Sequence, residues 1–269
     1  MKKKRTFLVE KICLVFLMSF FFIGAASANT VIDYTLSDGW TYESKYPATL
    51  SLSNHPSGGI TANINVGSGI VDGGLTASIH DLPGFSIFND GFIQLEYGSL
   101  TRTISGSASS SLNLELEFYD SSDTRNQIGI SLWMYNGLLG FGTWFENDLG
   151  LDLSLGEPVP IGLSAEEGAL GLYFHDSSVS PYFKDIDSNV IYPLADWDLS
   201  AISAMSLPSV DNDFEAETIG GGTVMGSVNL QRIVYGSGAP APPVPIPGAI
   251  WLLGSGLVGL VGIRRKFKK

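Results

Sequence analysis

The sequence predicts an all-β fold, an antiparallel β-sandwich or jelly roll, flanked by two end segments that are not part of it. Three observations predict this. Between Asn29 and Tyr235 short stretches alternate apolar and polar residues at period two. Clusters of Gly, Ser, Asn and Asp interrupt them at regular intervals. No stretch of this body carries a convincing helical pattern of apolar residues.

Taken in order, Leu50-Ser51-Leu52 alternates and closes at Asn54 to Gly59. Ile60 to Val66 alternates and ends at Gly67-Ser68-Gly69. The Gly-rich region from Ser51 to Ile79 also admits a loose loop or a short coil of parallel β-turns. Phe92 to Tyr97 reads as a strand ending at Gly98. Leu112 to Phe118 is the clearest strand. Leu112, Leu114, Leu116 and Phe118 fall on one face; Asn113, Glu115 and Glu117 fall on the other. Asp120 to Asp123 has a turn composition. Ile128 to Tyr135 and Gly140 to Phe145 flank Asn136-Gly137, a strong hairpin signal. Leu170 to Phe174 and Pro181 to Lys184 flank the polar turn His175 to Ser178. Thr223 to Tyr235 is the last strand.

Residues 1–28 read as a signal peptide: a basic start (Lys2, Lys3, Lys4, Arg5), an apolar run from Ile12 to Ile23, and the small-x-small site Ala26-Ser27-Ala28, with cleavage after Ala28. This implies the Sec translocon and a signal peptidase as partners. Residues 236–243 are a Gly/Pro linker, semi-rigid because its prolines favour extended polyproline II. Residues 244–269 form the tail. Its uncharged run 249–263, at about 1.5 Å per residue, makes a short transmembrane helix. The terminal cations set its cytoplasmic side, so the body lies outside. Gly254, Gly256, Gly259 and Gly262 leave a smooth face on which another helix can pack.

The net charge of −12 hides a more acidic body. The front carries +4 and the tail +5, leaving −21 between them, with Lys45, Arg102, Arg125, Lys184 and Arg232 as the body's cations. Such a body repels nucleic acid, which excludes a nucleic-acid role. The only cysteine, Cys13, lies in the signal peptide, so the body has no disulfide and no thiol chemistry.

Two carboxylates, Glu115 and Glu117, lie two apart on one strand face as paired acids do in sandwich glycosidases, but the third acid of the glucanase signature is missing: Phe118 and Tyr119 follow, and Asp120 begins a turn. The plainer alternative is the solvated face of a half-buried strand. Asp185-Ile186-Asp187-Ser188-Asn189 opens like a calcium loop but has Val190 where the turn glycine belongs and Asp196 where the bidentate Glu belongs. Asp211, Asp213 and Glu215 are candidates for a structural Ca²⁺, set against a solvated acidic turn. No cofactor is otherwise expected. His55, His80 and His175 lack companions at zinc-ligand spacing, and no nucleophile elbow or phosphate loop is present. Trp133, Tyr135, Trp144 and Trp197 can stack on sugars, with core burial the commoner fate of such residues.

The order of elements from Leu112 to Tyr235 resembles the concanavalin-A-like jelly roll of laminin G domains and glucanases. The tail carries a closer resemblance. Val244-Pro245-Ile246-Pro247, then Trp251-Leu252-Leu253-Gly254-Ser255-Gly256-Leu257, then Arg264-Arg265-Lys266 is similar to the PEP-CTERM sorting signal, with Ile246 where the family's motif has Glu. That resemblance implies recognition and cleavage by an exosortase, a membrane-embedded protease. It implies an inner-membrane-anchored precursor, then a protein released or attached at the surface of a Gram-negative bacterium, in systems associated with extracellular polysaccharide and biofilm. The expectation is a non-catalytic exported surface or matrix protein with carbohydrate as its candidate ligand. The alternative is a polysaccharide-acting glycoside hydrolase using Glu115 and Glu117. A structural envelope protein with no ligand is the third.

Overall fold

The computed structural model describes residues 29–240 apart from 39–40, 45–48, 68, 81, 83–84, 86–89, 107–110, 121–122, 136–137, 147–151, 160–162, 200–207 and 221. Among the described residues every regular element is a strand. They are β1 (Thr30–Asp33), β2 (Thr41–Ser44), β3 (Thr49–Asn54), β4 (Ile60–Val66), β5 (Gly69–His80), β6 (Gly91–Ser105), β7 (Ser111–Asp120) and β8 (Asp123–Tyr135). There follow β9 (Leu138–Glu146), β10 (Asp152–Pro158), β11 (Gly168–His175), β12 (Ser178–Lys184), β13 (Ile191–Pro193), β14 (Trp197–Asp198), β15 (Pro208–Gly220) and β16 (Thr223–Ser237).

The strands pair antiparallel into two sheets. One has the order β13-β12-β11-β6-β16-β4-β3, with β1 also on β16 and β14 on β12; the other runs β10-β9-β8-β7-β15-β5-β2. Alternation sends one side chain in two toward the facing sheet. From the seven-stranded sheet come Leu112, Leu114, Leu116 and Phe118, then Ile128, Ile130 and Leu132. From the nine-stranded sheet come Ile93, Leu95, Leu170, Leu172, Phe183 and Ile233. All are buried in one continuous core. The fold class is therefore the antiparallel β-sandwich that the alternation predicts.

Three expectations change. The region Ser51 to Ile79 is neither loop nor coil: β3, β4 and β5 run through it, and β5 holds a twelve-residue register with β15. Gly98 does not end its strand. Ser99 takes a positive φ of 52°, and a shift in register against β16 absorbs the irregularity, so β6 continues to Ser105. The acidic stretch Asp211 to Glu217 is not a turn but the middle of β15, because its even positions, Asn212, Phe214 and Ala216, all bury inward. The turn Asp185 to Ser188 is self-contained: the Asp185 carboxylate accepts the Asp187 amide at 3.1 Å and the Ser188 hydroxyl at 2.6 Å. β8 and β9 pair with Tyr135 opposite Leu138, as a two-residue connection requires, while Asn136-Gly137 itself lies outside the described residues.

Polar side chains tie the segments together. The Tyr97 hydroxyl donates to the Ala165 carbonyl at 3.0 Å, and Asn212 Nδ2 donates to the Tyr34 hydroxyl between the sheets. Ser180 donates to Asp196 at 2.5 Å and lies 2.7 Å from His175 Nε2, which fixes the chain before β14 onto β12. One end of the sandwich is closed by rings: Phe85 meets Phe118, Phe174 and Tyr235 edge-on at centroid distances of 5.5, 5.6 and 6.0 Å.

Candidate functional site

The outer face of the seven-stranded sheet is where the sequence's chemical candidates meet. β7 aims Asn113, Glu115 and Glu117 outward because its leucines occupy the inward parity. The registers then fix their neighbours. Across β7 from Glu115 stands Asp213 of β15, and from Glu117 stands Asp211; Glu215 faces Asn113. On the other side Ser131 of β8 faces Glu115, Gly129 faces Glu117 and Trp133 faces Asn113. On β9, Gly140 faces Trp133, Gly142 faces Ser131 and Trp144 faces Gly129. Directly opposed residues share a face with Cβ atoms about 5 Å apart, so all of these side chains line one surface.

That surface divides in two. On β8 and β9 it is a glycine floor carrying indoles. A Cβ on Gly129 would sit 1.9 Å from Trp144 Cζ2, and one on Gly140 would sit 2.2 Å from Trp133 Cζ2. Each ring therefore lies across the neighbouring strand, where only glycine leaves room. Trp144 reaches over β8 toward β7 and its acids; Trp133 reaches the other way, with its Cζ2 3.9 Å from a Cβ placed on Gly156 of β10. Both tryptophans are half-buried. Gln127 Nε2 donates to Glu146 Oε2 at 2.7 Å at one end of this floor.

On β7 and β15 the surface is a field of carboxylates. Burial raises Glu115 to about 8, and the charges of Glu215, Asp213 and Glu117 add to the rise. Burial likewise raises Glu117 to about 7, helped by Asp213, Asp211, Glu146 and Glu215. Like charges directly opposite on paired strands oppose folding. At neutral pH the pair holds protons that ordinary carboxyls have lost. It can therefore both donate and accept hydrogen bonds, which suits a ligand covered in hydroxyls.

Glu115 and Glu117 thus lie together as the alternation predicts. Asp211, Asp213 and Glu215, read from sequence as an acidic turn, join them from a strand. Alternate residues of one strand stand about 7 Å apart, so these three do not converge on a point. Among the described residues no three His, Cys, Asp or Glu side chains are grouped as a metal site needs. The expectation that the aromatics are core holds for Trp197, which is 9% exposed and stacks on Phe145 at 6.4 Å. It fails for Trp133 and Trp144, which lie on the outer face, and for the exposed Tyr135. The glycine floor was not singled out in the sequence. Its signal was parity: Trp133 is out of phase with Ile128, Ile130 and Leu132, and Trp144 with Phe141 and Phe145. The signal-cleavage residues Ala26 and Ala28 and the sorting residues Val244, Pro245, Pro247, Trp251, Gly254, Gly256, Arg264, Arg265 and Lys266 lie outside the described residues.

No family model matches this chain, and no curated protein does. Solved structures do resemble it. The CBM2 module of the Lactobacillus casei BL23 phage J-1 evolved Dit is 9% identical, with a TM-score of 0.51 over 78% of this chain and 97% of that one. The Bacillus licheniformis β-glucanase is 10% identical, with a TM-score of 0.47 over 80% and 99%. Lectin II from Ulex europaeus is 10% identical, with a TM-score of 0.46 over 80% and 99%. The likeness is one of fold alone, an antiparallel β-sandwich.

Proposed function

We propose that this protein is an exported, non-catalytic surface or matrix protein that binds saccharide on the outer face of its seven-stranded sheet. The observation that carries the reading is the pair of indoles laid flat on glycine beside a field of partly protonated carboxylates. A pyranose offers an apolar face and a rim of hydroxyls. Trp144 and Trp133 would take the face; Glu115, Glu117, Asp211 and Asp213 would take the rim. The same acids disfavour a polyanionic chain, so neutral polysaccharide is the ligand class. Titrating the full chain with neutral and sulfated glucans, with and without Ca²⁺, tests this. Saturable binding of the neutral polymer alone supports it; a preference for the sulfated polymer overturns it.

A second reading has its own observation. Glu115, raised toward neutrality two residues from Glu117, has the protonation a glycosidase acid requires. Release of reducing ends from a glucan, lost in Glu115→Gln, would establish hydrolysis in place of simple binding.

The export and sorting reading rests on the sequence of both ends. The signal peptide delivers the body through the Sec translocon. An exosortase-like protease recognises the tail, and the product resides at the cell surface or in the matrix. Mass spectrometry of the surface-located protein should find a C-terminus between Val244 and Gly248. Intact peptides containing Trp251 and Lys266 in that pool would overturn processing.

A further inference from the structure

The two indoles of the glycine floor stand on different strands and at different levels. Trp144 of β9 lies over Gly129 of β8, and Trp133 of β8 lies over Gly140 of β9. In the ladder Gly129 is opposite Trp144 and Trp133 is opposite Gly140, so the two rungs are four residues apart on β8. The pyrrole edge of Trp133 reaches back over Gly142, with Cδ1 3.3 Å from a Cβ placed there. At about 3.4 Å per residue, the rings are separated by roughly 10–13 Å along the strands and by one strand across them. No tall side chain stands between: the outward residues in the gap are Ser131, which is buried, and Gly142. The surroundings of the two rings differ. Gly129, under Trp144, faces Glu117 of β7. Trp133 turns away from β7 and is floored by Gly140 and Gly142, with Gly156 of β10 at its outer edge. One platform therefore has a carboxyl at its side, and the other has glycines around it.

Resting on the saccharide reading above, we infer that this face takes the interior of a straight, neutral polysaccharide chain laid along β8 and β9, and not a terminal sugar. With single bonds of about 1.5 Å, one pyranose and its linking oxygen advance a chain by about 5 Å. A single sugar covers one indole, and a disaccharide falls short of the second. The outer rings of a trisaccharide, about 10 Å apart, are the first to reach both. Both platforms lie on one sheet face, so the chain must turn both of those sugars to the same side. A ribbon of equatorially linked rings, as in a β-1,4-glucan, does so; a coiled α-1,4-glucan turns its third ring away. The two positions then have different tasks. The sugar on Trp144 has its hydroxyls beside Glu117 and is recognised by hydrogen bonds as well as by stacking. The sugar on Trp133 is held by its apolar face. Once the first sugar is seated the second is presented at high effective concentration, so the gain in affinity comes as a step with chain length.

Calorimetric titration of the full chain with cello-oligosaccharides of two, three and six glucose units, and with maltohexaose, tests the inference. Cellohexaose should bind at least tenfold more tightly than cellobiose, with the step falling at three units, and maltohexaose should match cellobiose at best. Trp133→Ala should lower cellohexaose to the cellobiose level while leaving cellobiose unchanged. Trp144→Ala should weaken every length. The length series on the wild-type chain decides the matter by itself if Trp133→Ala does not fold. Cellobiose or maltohexaose binding as tightly as cellohexaose overturns the inference, as does Trp133→Ala weakening short and long chains alike. Binding of a neutral glucan polymer without binding of cellohexaose overturns it too, yet leaves the saccharide reading standing. Absence of binding to every neutral oligomer and polymer overturns both.

Discussion

The outer faces of the two sheets handle their polar groups in opposite ways. On the nine-stranded sheet, the Tyr182 hydroxyl donates to Gln94 Oε1 at 2.9 Å, Gln94 Nε2 donates to Glu96 Oε1 at 2.8 Å, and Arg232 Nε donates to Glu96 Oε2 at 2.7 Å. Tyr182 lies over Gly171, as the tryptophans lie over their glycines, but it is 2% exposed and Gln94 is 3% exposed. This chain runs from a buried phenol to a half-exposed cation, and each group meets a complementary partner. On the seven-stranded sheet, carboxylates face carboxylates across β7 and β15, and the indoles beside them are only half-buried. A satisfied network holds a sheet in place. On the seven-stranded sheet the raised acids Glu115 and Glu117 work against the folded state as they ionise.

Experiments can break this contrast, from the largest expected effect to the smallest. Replacing Trp144 with Ala should weaken saccharide binding more than tenfold. Gly129→Val should do the same by pushing the ring off β8, while thermal unfolding shows both variants folded. Unchanged affinity in both would remove the indoles from the site.

The next effect is on pH. Glu115 and Glu117 are raised in the folded protein relative to the unfolded chain, so the folded state binds more protons between pH 4.5 and about 8. Their contribution to stability is fully present below the unfolded value and is lost as pH rises through 7 and 8. The melting temperature should therefore fall from pH 5 to pH 9. Glu115→Gln should flatten that fall and stabilise the protein at pH 8.5 by roughly 1–3 kcal/mol, since one pK unit is worth about 1.4 kcal/mol. A profile that rises with pH would refute the crowding.

On the opposite sheet the signs reverse, because removing a partner harms a satisfied network. Tyr182→Phe leaves the buried Gln94 carbonyl without its donor and should cost about 1–2 kcal/mol in denaturant unfolding. Arg232→Ala should cost less, within about 1 kcal/mol, because Arg232 is 44% exposed and its pair with Glu96 is screened by solvent.

Much of this was legible in the sequence, for physical reasons that also explain what was not. β7 could be read because seven residues keep strict alternation, with leucines fixing the inward parity. β15 escaped because Asp211, Asn212 and Asp213 carry turn-forming composition, and the strand's inward Asn212 is polar. Its pairing with β7, nearly a hundred residues earlier in the chain, leaves no local trace. Glu115 and Glu117 were visible as a pair, but their partners across the ladder were not. The tryptophans misled because indoles in strands usually bury. Here the glycines opposite them on the next strand make a shallow floor, and only the register discloses which glycine lies under which ring.

The pairing of β1 with β16 has a mechanical consequence. Thr30 lies opposite Tyr235, and a Cβ on Gly236 would touch the Asn29 side chain, so the chain enters and leaves the body at the same corner. Tension applied between the two ends would load the four-residue β1 one rung at a time, as a zipper opens, rather than shear the whole ladder at once. A body held by either end hangs from that corner, with the ring-packed end toward its tether.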